Sequence, residues 1–202
     1  LDVVAVMDDL GEQSATLVGH DWGGIIAWSF AEAYPQKTEN LVIFNRPHPR
    51  SRKREMALNN EQKERSAYIA RFTNSDGDLG GMDAERRAGS HRGTVWYERY
   101  LSAYQRSDYE AMLNYYRAYY PKPPWMVDES PIVPLDVPVL EFHGLDDGAY
   151  VNESLNDTWE SMGRDFTLVT LPGVGHNSQN TGDIQFVTSM LRSWLEMQKS
   201  RQ

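Results

Sequence analysis

Residues 15–34 read ATLVGHDWGGIIAWSFAEAY, and the aspartate at position 21 decides how the rest of the chain is understood. Ala15-Thr16-Leu17-Val18 is a short apolar, β-branched run, and Gly23 to Tyr34 has a helical pattern that Pro35 closes. Gly19, Asp21 and Gly23 therefore form a strand–G-x-D-x-G–helix unit. In the related G-x-S-x-G turn the bend is so sharp that the central side chain projects above the sheet, and the flanking glycines remove Cβ atoms that would clash. An aspartate in the serine's place implies attack by a carboxylate, with an alkyl ester of the enzyme as intermediate. The matching substrate carries an electrophilic saturated carbon, such as an epoxide or an alkyl halide. The competing reading of the five-residue pattern is an ordinary helix N-cap or turn residue, which is what an aspartate in that place usually is.

Two motifs later in the chain favour the first reading. Val139–His143 is a strand that leads into the turn Gly144-Leu145-Asp146-Asp147. Phe166–Leu171 is a strand that leads into Pro172-Gly173-Val174-Gly175-His176. Nucleophile, acid and histidine thus arrive in chain order, each just beyond the carboxyl end of a strand. The G-x-x-D spacing selects Asp147, with the adjacent Asp146 as its rival. His20 and His143 are expected to support this site through hydrogen bonds; His48 and His91 have no comparable setting. No His/Asp/Glu grouping has metal-ligand spacing, and neither metal nor cofactor is expected.

Composition sets the bounds. The chain has 202 residues, 40% of them apolar, enough for one sizeable core. A net charge of −9 argues against a nucleic-acid groove or an anionic membrane as partner. The basic cluster Arg50 to Arg54 precedes Glu55, Glu61 and Glu64 and reads as a solvated helix face. With no cysteine, thiol chemistry and disulfides are excluded. No apolar run approaches the ~18 residues of a membrane span, and no signal peptide is visible, so the expected compartment is the cytoplasm.

The remaining pattern alternates between sheet and helical blocks. Leu1–Leu10 is expected to be helical and Leu41–Asn45 a buried strand. Residues 48–130 lack strand-like runs; they contain the helical stretches Glu61–Phe72, Asp83–Arg87, Tyr97–Tyr104 and Tyr109–Tyr119, interrupted by a Gly/Asp-rich break from Asn74 to Gly81. Eight of the eleven tyrosines fall between Tyr97 and Tyr120, making this block unusually aromatic. The proline-rich stretch Pro121 to Pro134 reads as a connector. Helices are expected at Glu153–Met162 and Thr181–Met197. The chain thereby divides into a core α/β segment at 1–47 with the nucleophile turn, a helical cap at 48–130, and a second core segment at 131–202 with the acid and histidine turns. Only one strand precedes Asp21, and the chain starts with Leu1, so an N-terminal portion carrying the early strands is expected to be missing.

Gly19-His20-Asp21-Trp22-Gly23-Gly24, Asn45-Arg46-Pro47-His48-Pro49, Gly144-Leu145-Asp146-Asp147 and Val174-Gly175-His176 together resemble the epoxide hydrolases of the α/β-hydrolase superfamily. The resemblance implies the α/β-hydrolase fold, a mostly parallel sheet flanked by helices with an inserted helical cap. It implies Asp21 as nucleophile, Asp147 and His176 as the pair that activates water, and the backbone N–H of Trp22 as an oxyanion donor. It also implies two cap tyrosines that hold the epoxide oxygen. Ser66-Ala67-Tyr68-Ile69-Ala70-Arg71-Phe72 places Tyr68, and Leu113-Asn114-Tyr115-Tyr116-Arg117 places Tyr116, with Tyr115 as the alternative register. The implied partner is a small hydrophobic epoxide; whether the chain forms a homodimer stays open. The family's H-G-x-P segment, which supplies another oxyanion donor, is absent from these residues. The rival readings are a haloalkane dehalogenase with the same nucleophile, a non-catalytic or inactive fragment of the fold, and an esterase, which the replacement of serine by Asp21 disfavours.

Overall fold

A computed structural model describes residues 2–73, 83–180 and 182–201. The break expected from Asn74 to Gly81 lies outside them. In chain order the helices and strands are α1 (Asp2–Leu10), β1 (Ala15–His20), α2 (Trp22–Ala33), β2 (Thr38–Phe44), α3 (Pro49–Leu58), α4 (Asn60–Arg65), α5 (Ile69–Thr73), α6 (Ala84–Ala88), α7 (Tyr97–Gln105), α8 (Tyr109–Tyr119), β3 (Val139–Gly144), β4 (Phe166–Leu171) and α9 (Ile184–Lys199).

The four strands form one parallel sheet in the order β1-β2-β3-β4. Alternation along each strand divides its side chains between two layers. Leu41, Ile43 and Val139 face α2 and pack with Ala27, Trp28 and Ala31. Val42, Phe44, Leu140 and Phe142 face α9 and pack with Val187 and Trp194. β2 and β3 are therefore covered on both faces, as continuous apolar strands of a parallel sheet require. β1 lies at an edge, and its Val18 remains 59% exposed. α2 buries only one side: Ala27, Trp28 and Ala31 face the sheet, whereas Ile26 is 41% exposed.

The chain divides into two compact units, residues 1–65 with 126–202, and residues 66–125. The sequence-based cap at 48–130 is wider than the second unit, because α3 and α4 belong with the sheet. α3 buries Ser51, Arg52, Glu55 and Met56, and the buried Gln62 of α4 bonds to the backbone at Ala149 and Val151. The cluster at Arg50–Arg54 is thus not a solvated face. Arg52 is buried, and Arg54 donates to the carbonyls of Glu153 and Asn156.

Two further expectations change. Residues 153–162 form two single 3-10 turns, Asn152–Leu155 and Thr158–Ser161, rather than one helix, because Asp157 between them takes a left-handed conformation at φ 62°. The C-terminal helix starts at Ile184, where the Asp183 side chain caps the N–H of Phe186. In the second unit, Tyr68 and Tyr116 both pack edge-on against Phe72, with ring centroids 5.6 and 5.0 Å away. Among the described residues, no helix is long and apolar enough to cross a membrane.

Candidate active site

Asp21 sits on the bend between β1 and α2 with φ 49° and ψ −115°, a conformation that non-glycine residues rarely adopt. The bend is tight: a Cβ on Gly19 would lie 2.5 Å from the carbonyl oxygen of Gly23. The second glycine that matters is not the one in the five-residue pattern. A Cβ on Gly23 would meet nothing within 4 Å, whereas one on Gly24 would lie 2.6 Å from Cβ of Arg46. Asp21 occupies the N-cap position of α2, but its side chain makes no capping bond. The carboxylate turns instead toward His176, whose Nε2 lies 3.5 Å from Asp21 Oδ1.

Asp147 lies in the turn after β3 and is 1% exposed. His176 Nδ1 is 2.9 Å from its Oδ2. Backbone N–H groups of Ala149 and Tyr150 donate to Oδ1, at 2.7 and 3.3 Å. Asp146, by contrast, is exposed. The acid and histidine turns lie directly against each other: a Cβ on Gly144 would fall 2.3 Å from the carbonyl oxygen of Val174. Only a glycine permits that approach.

Electrostatics reflect this layout. Burial alone would raise the pKa of Asp21. The hydrogen bond and charge of His176, the charge of Arg46 and the backbone N–H of Trp22 outweigh it and hold the carboxyl below its ordinary value. Asp147 is lowered in the same way: burial is overcome by His176, by the Ala149 N–H and by Asn45. For His176, burial favours the neutral ring, but bonds and charges from both carboxylates push its pKa up to about 9. At neutral pH it is an imidazolium between two anions.

Several residues to which the sequence assigned no role hold this set in place. Asn45, at the end of β2 with φ 45°, is fully buried. Its amide donates to Asp147 Oδ2 at 2.8 Å, and its carbonyl oxygen accepts from the N–H of Ser178 at 3.3 Å. Arg65 donates to the carbonyl oxygens of Asp147 and Tyr150. Tyr150, 5% exposed, places its hydroxyl 3.4 Å from Asp21 Oδ1 and accepts a hydrogen bond from Arg46. One available signal was the positive-φ tolerance of asparagine in Asn45 after a buried strand. His20 pairs through Nε2 with the backbone oxygen of His176 at 2.8 Å, as expected for a supporting residue. His143 does not: neither ring nitrogen has a hydrogen-bond partner among the described residues, although Nε2 is 4.0 Å from Asp147 Oδ2. Burial lowers its pKa to about 4, so it stays neutral. Tyr68 and Tyr116 belong to the second unit, where both are half-buried while Tyr115 is 44% exposed.

A parallel sheet with three such turns at its carboxyl edge matches the family model of the alpha/beta hydrolase fold over residues 2–179. The chain belongs to that family. Among α/β-hydrolases it is similar to Epoxide hydrolase 1 of Caenorhabditis elegans, with 27% identity over 192 residues, covering 87% of this chain and 46% of the relative. The chain thus spans about half the length of that relative. The crystal structure of the Bacillus megaterium epoxide hydrolase in complex with an inhibitor superposes with a TM-score of 0.79 at 25% identity, covering 96% of this chain and 74% of that one. A structure of a novel epoxide hydrolase from metagenomes of hot environments gives 0.70 at 30% identity, covering 87% and 65%.

Proposed function

We propose that the protein opens epoxides to vicinal diols through an ester formed on Asp21. The observation that carries this reading is the position of His176, which bridges a carboxylate on a strained bend at 3.5 Å and a buried, donor-rich carboxylate at 2.9 Å. The similarity to proteins named epoxide hydrolases supports the substrate class.

In the first step a carboxylate oxygen of Asp21 forms a bond to one epoxide carbon, and the ring C–O bond breaks. Tyr68 and Tyr116 donate to the departing oxygen. Phenols titrate near pH ~10 and so carry their protons at neutral pH. Their packing against the shared Phe72 ring, and the exposure of Tyr115, support this choice of pair. Acid assistance of this kind contributes ~10²–10⁴ in rate.

Alkylation also removes one of the two anions that keep His176 charged. Its proton affinity falls, the imidazolium releases its proton while the ring-opened alkoxide takes one up, and the neutral imidazole, still oriented by Asp147, becomes able to take a proton from water. The water oxygen bonds to Cγ of Asp21, charge collects on the carbonyl oxygen, and the ester bond to the substrate breaks to give the diol. The N–H of Trp22, which helps to hold the Asp21 carboxyl below its ordinary value, stabilises that charge. Asp21 therefore attacks as an anion while His176 acts only after it.

The test is His176→Gln incubated with an epoxide and examined by intact-protein and peptide mass spectrometry. The expected result is a stable adduct of substrate mass on the peptide containing Asp21. Unmodified protein, or halide release from haloalkanes without diol formation from epoxides, contradicts the reading.

A further inference from the structure

One buried pair lies against the nucleophile without a part in the chemistry of Asp21 and His176. The Tyr150 hydroxyl is 3.4 Å from Asp21 Oδ1, and the Arg46 guanidinium donates to that same hydroxyl oxygen. Both residues are buried, at 5% and 8% exposure. Arg46 is itself anchored, since its carbonyl oxygen accepts from Trp28 Nε1 at 3.1 Å and its side chain fills the space beside Gly24. The Tyr150 ring also lies 5.8 Å from the ring of His176. Because the hydroxyl oxygen already accepts from Arg46, its own proton is free to point at Asp21. A donor that accepts from a cation is polarised and donates more strongly.

We propose that Tyr150 is a second oxyanion donor for the nucleophile, with Arg46 as the positioning residue behind it. The proposal rests on the epoxide reading and assigns the two carboxylate oxygens. Oδ1, faced by Tyr150 and His176, keeps the double bond of the ester, and Oδ2 forms the bond to substrate carbon. When water attacks Cγ, its proton passes to His176 and the π electrons move onto Oδ1, where Tyr150 holds them. The Cγ–Oδ1 double bond then re-forms, and the Cγ–Oδ2 bond breaks with its electron pair going to Oδ2. Oδ2 leaves with the substrate as an alcohol that takes the proton back from His176, the water oxygen replaces it in the carboxyl group, and the proton that group still carries passes to His176, restoring the imidazolium beside the Asp21 anion. Burial keeps the phenol protonated throughout, with its pKa pushed up to about 12.

The experiment measures adduct formation and adduct decay separately, by rapid quench and mass spectrometry, in the wild type, Tyr150→Phe and Arg46→Lys. Loss of an oxyanion donor typically costs ~10²–10³; at 3.4 Å the lower end is expected. Tyr150→Phe should form the adduct at a rate within about 10-fold of wild type and hydrolyse it about 100-fold more slowly, so that the ester accumulates. Arg46→Lys should slow decay less. A purely structural role would depress both steps together. If Tyr150→Phe does not fold, site-specific 3-fluorotyrosine at position 150 keeps the volume and strengthens the donor, and decay should then accelerate. Decay at the wild-type rate in either folded variant overturns the proposal. Failure of the epoxide reading looks different, because no adduct forms even in His176→Gln, and the proposal falls with it.

Discussion

β3 and the turn beyond it carry two buried carboxyl groups six positions apart, and they end in opposite states. Glu141, in the middle of the strand, is fully buried; both its oxygens lack a hydrogen-bond partner among the described residues, and burial pushes its pKa up to about 8. Asp147, beyond the strand end, is equally buried, yet its pKa lies below the ordinary value. Burial acts on both in the same direction. The difference is the supply of donors. Inside a parallel strand the backbone N–H groups are committed to the neighbouring strands, so none can turn to a side chain. In the turn those of Ala149 and Tyr150 are available, and Asn45 and His176 reach the same carboxylate from two other strand ends. A usable anion in this molecule therefore belongs where strands stop.

The largest expected break in that comparison is Asp147→Asn. The amide cannot hold the His176 ring as the carboxylate does, and the equivalent change in serine triads costs ~10⁴ in turnover. Adduct decay should slow by that order while adduct formation persists, measured by quenched-flow mass spectrometry. Equal loss in both steps would mean that Asp147 serves folding rather than the water-activating step.

Glu141→Gln sharpens the other half. In the folded state Glu141 keeps its proton up to about pH 8, whereas its ordinary value is 4.5. It therefore destabilises the folded protein progressively as pH rises from 4.5 to about 8, and by a constant amount above that. At about 1.4 kcal/mol per pKa unit the effect is several kcal/mol. Urea unfolding should show the variant equal to wild type near pH ~4 and more stable at pH ~8. Parallel curves across that range would contradict a strand interior that lacks donors for the carboxylate.

Legibility in the sequence obeys the same physics. The bend at Asp21 and the turns carrying Asp147 and His176 are local, so residue type and spacing are enough to mark them. The residues that position them are not local. Asn45 reaches Asp147 across 102 positions and Tyr150 reaches Asp21 across 129, and neither distance leaves a periodic trace in the chain. The basic run at Arg50–Arg54 misleads for a related reason. Its charges look solvated until the carbonyls of Glu153 and Asn156, 99 and 102 positions beyond Arg54, are folded against it. The helix expected at 153–162 fails locally instead, at the left-handed Asp157.

The smallest expected effect is the control. Asp146→Asn changes the exposed neighbour of Asp147 and should leave stability within ~0.5 kcal/mol and turnover within about twofold. A larger loss would move the acid role to Asp146.

The central claim is that an oxygen of Asp21 is transferred to the substrate. A single turnover in H₂¹⁸O, with protein in excess over epoxide, reads this directly. The expected products are a diol without label and ¹⁸O in the peptide that contains Asp21. Label in the diol of that first turnover, with Asp21 unlabelled, would mean that water attacks the epoxide directly and that Asp21 is no nucleophile.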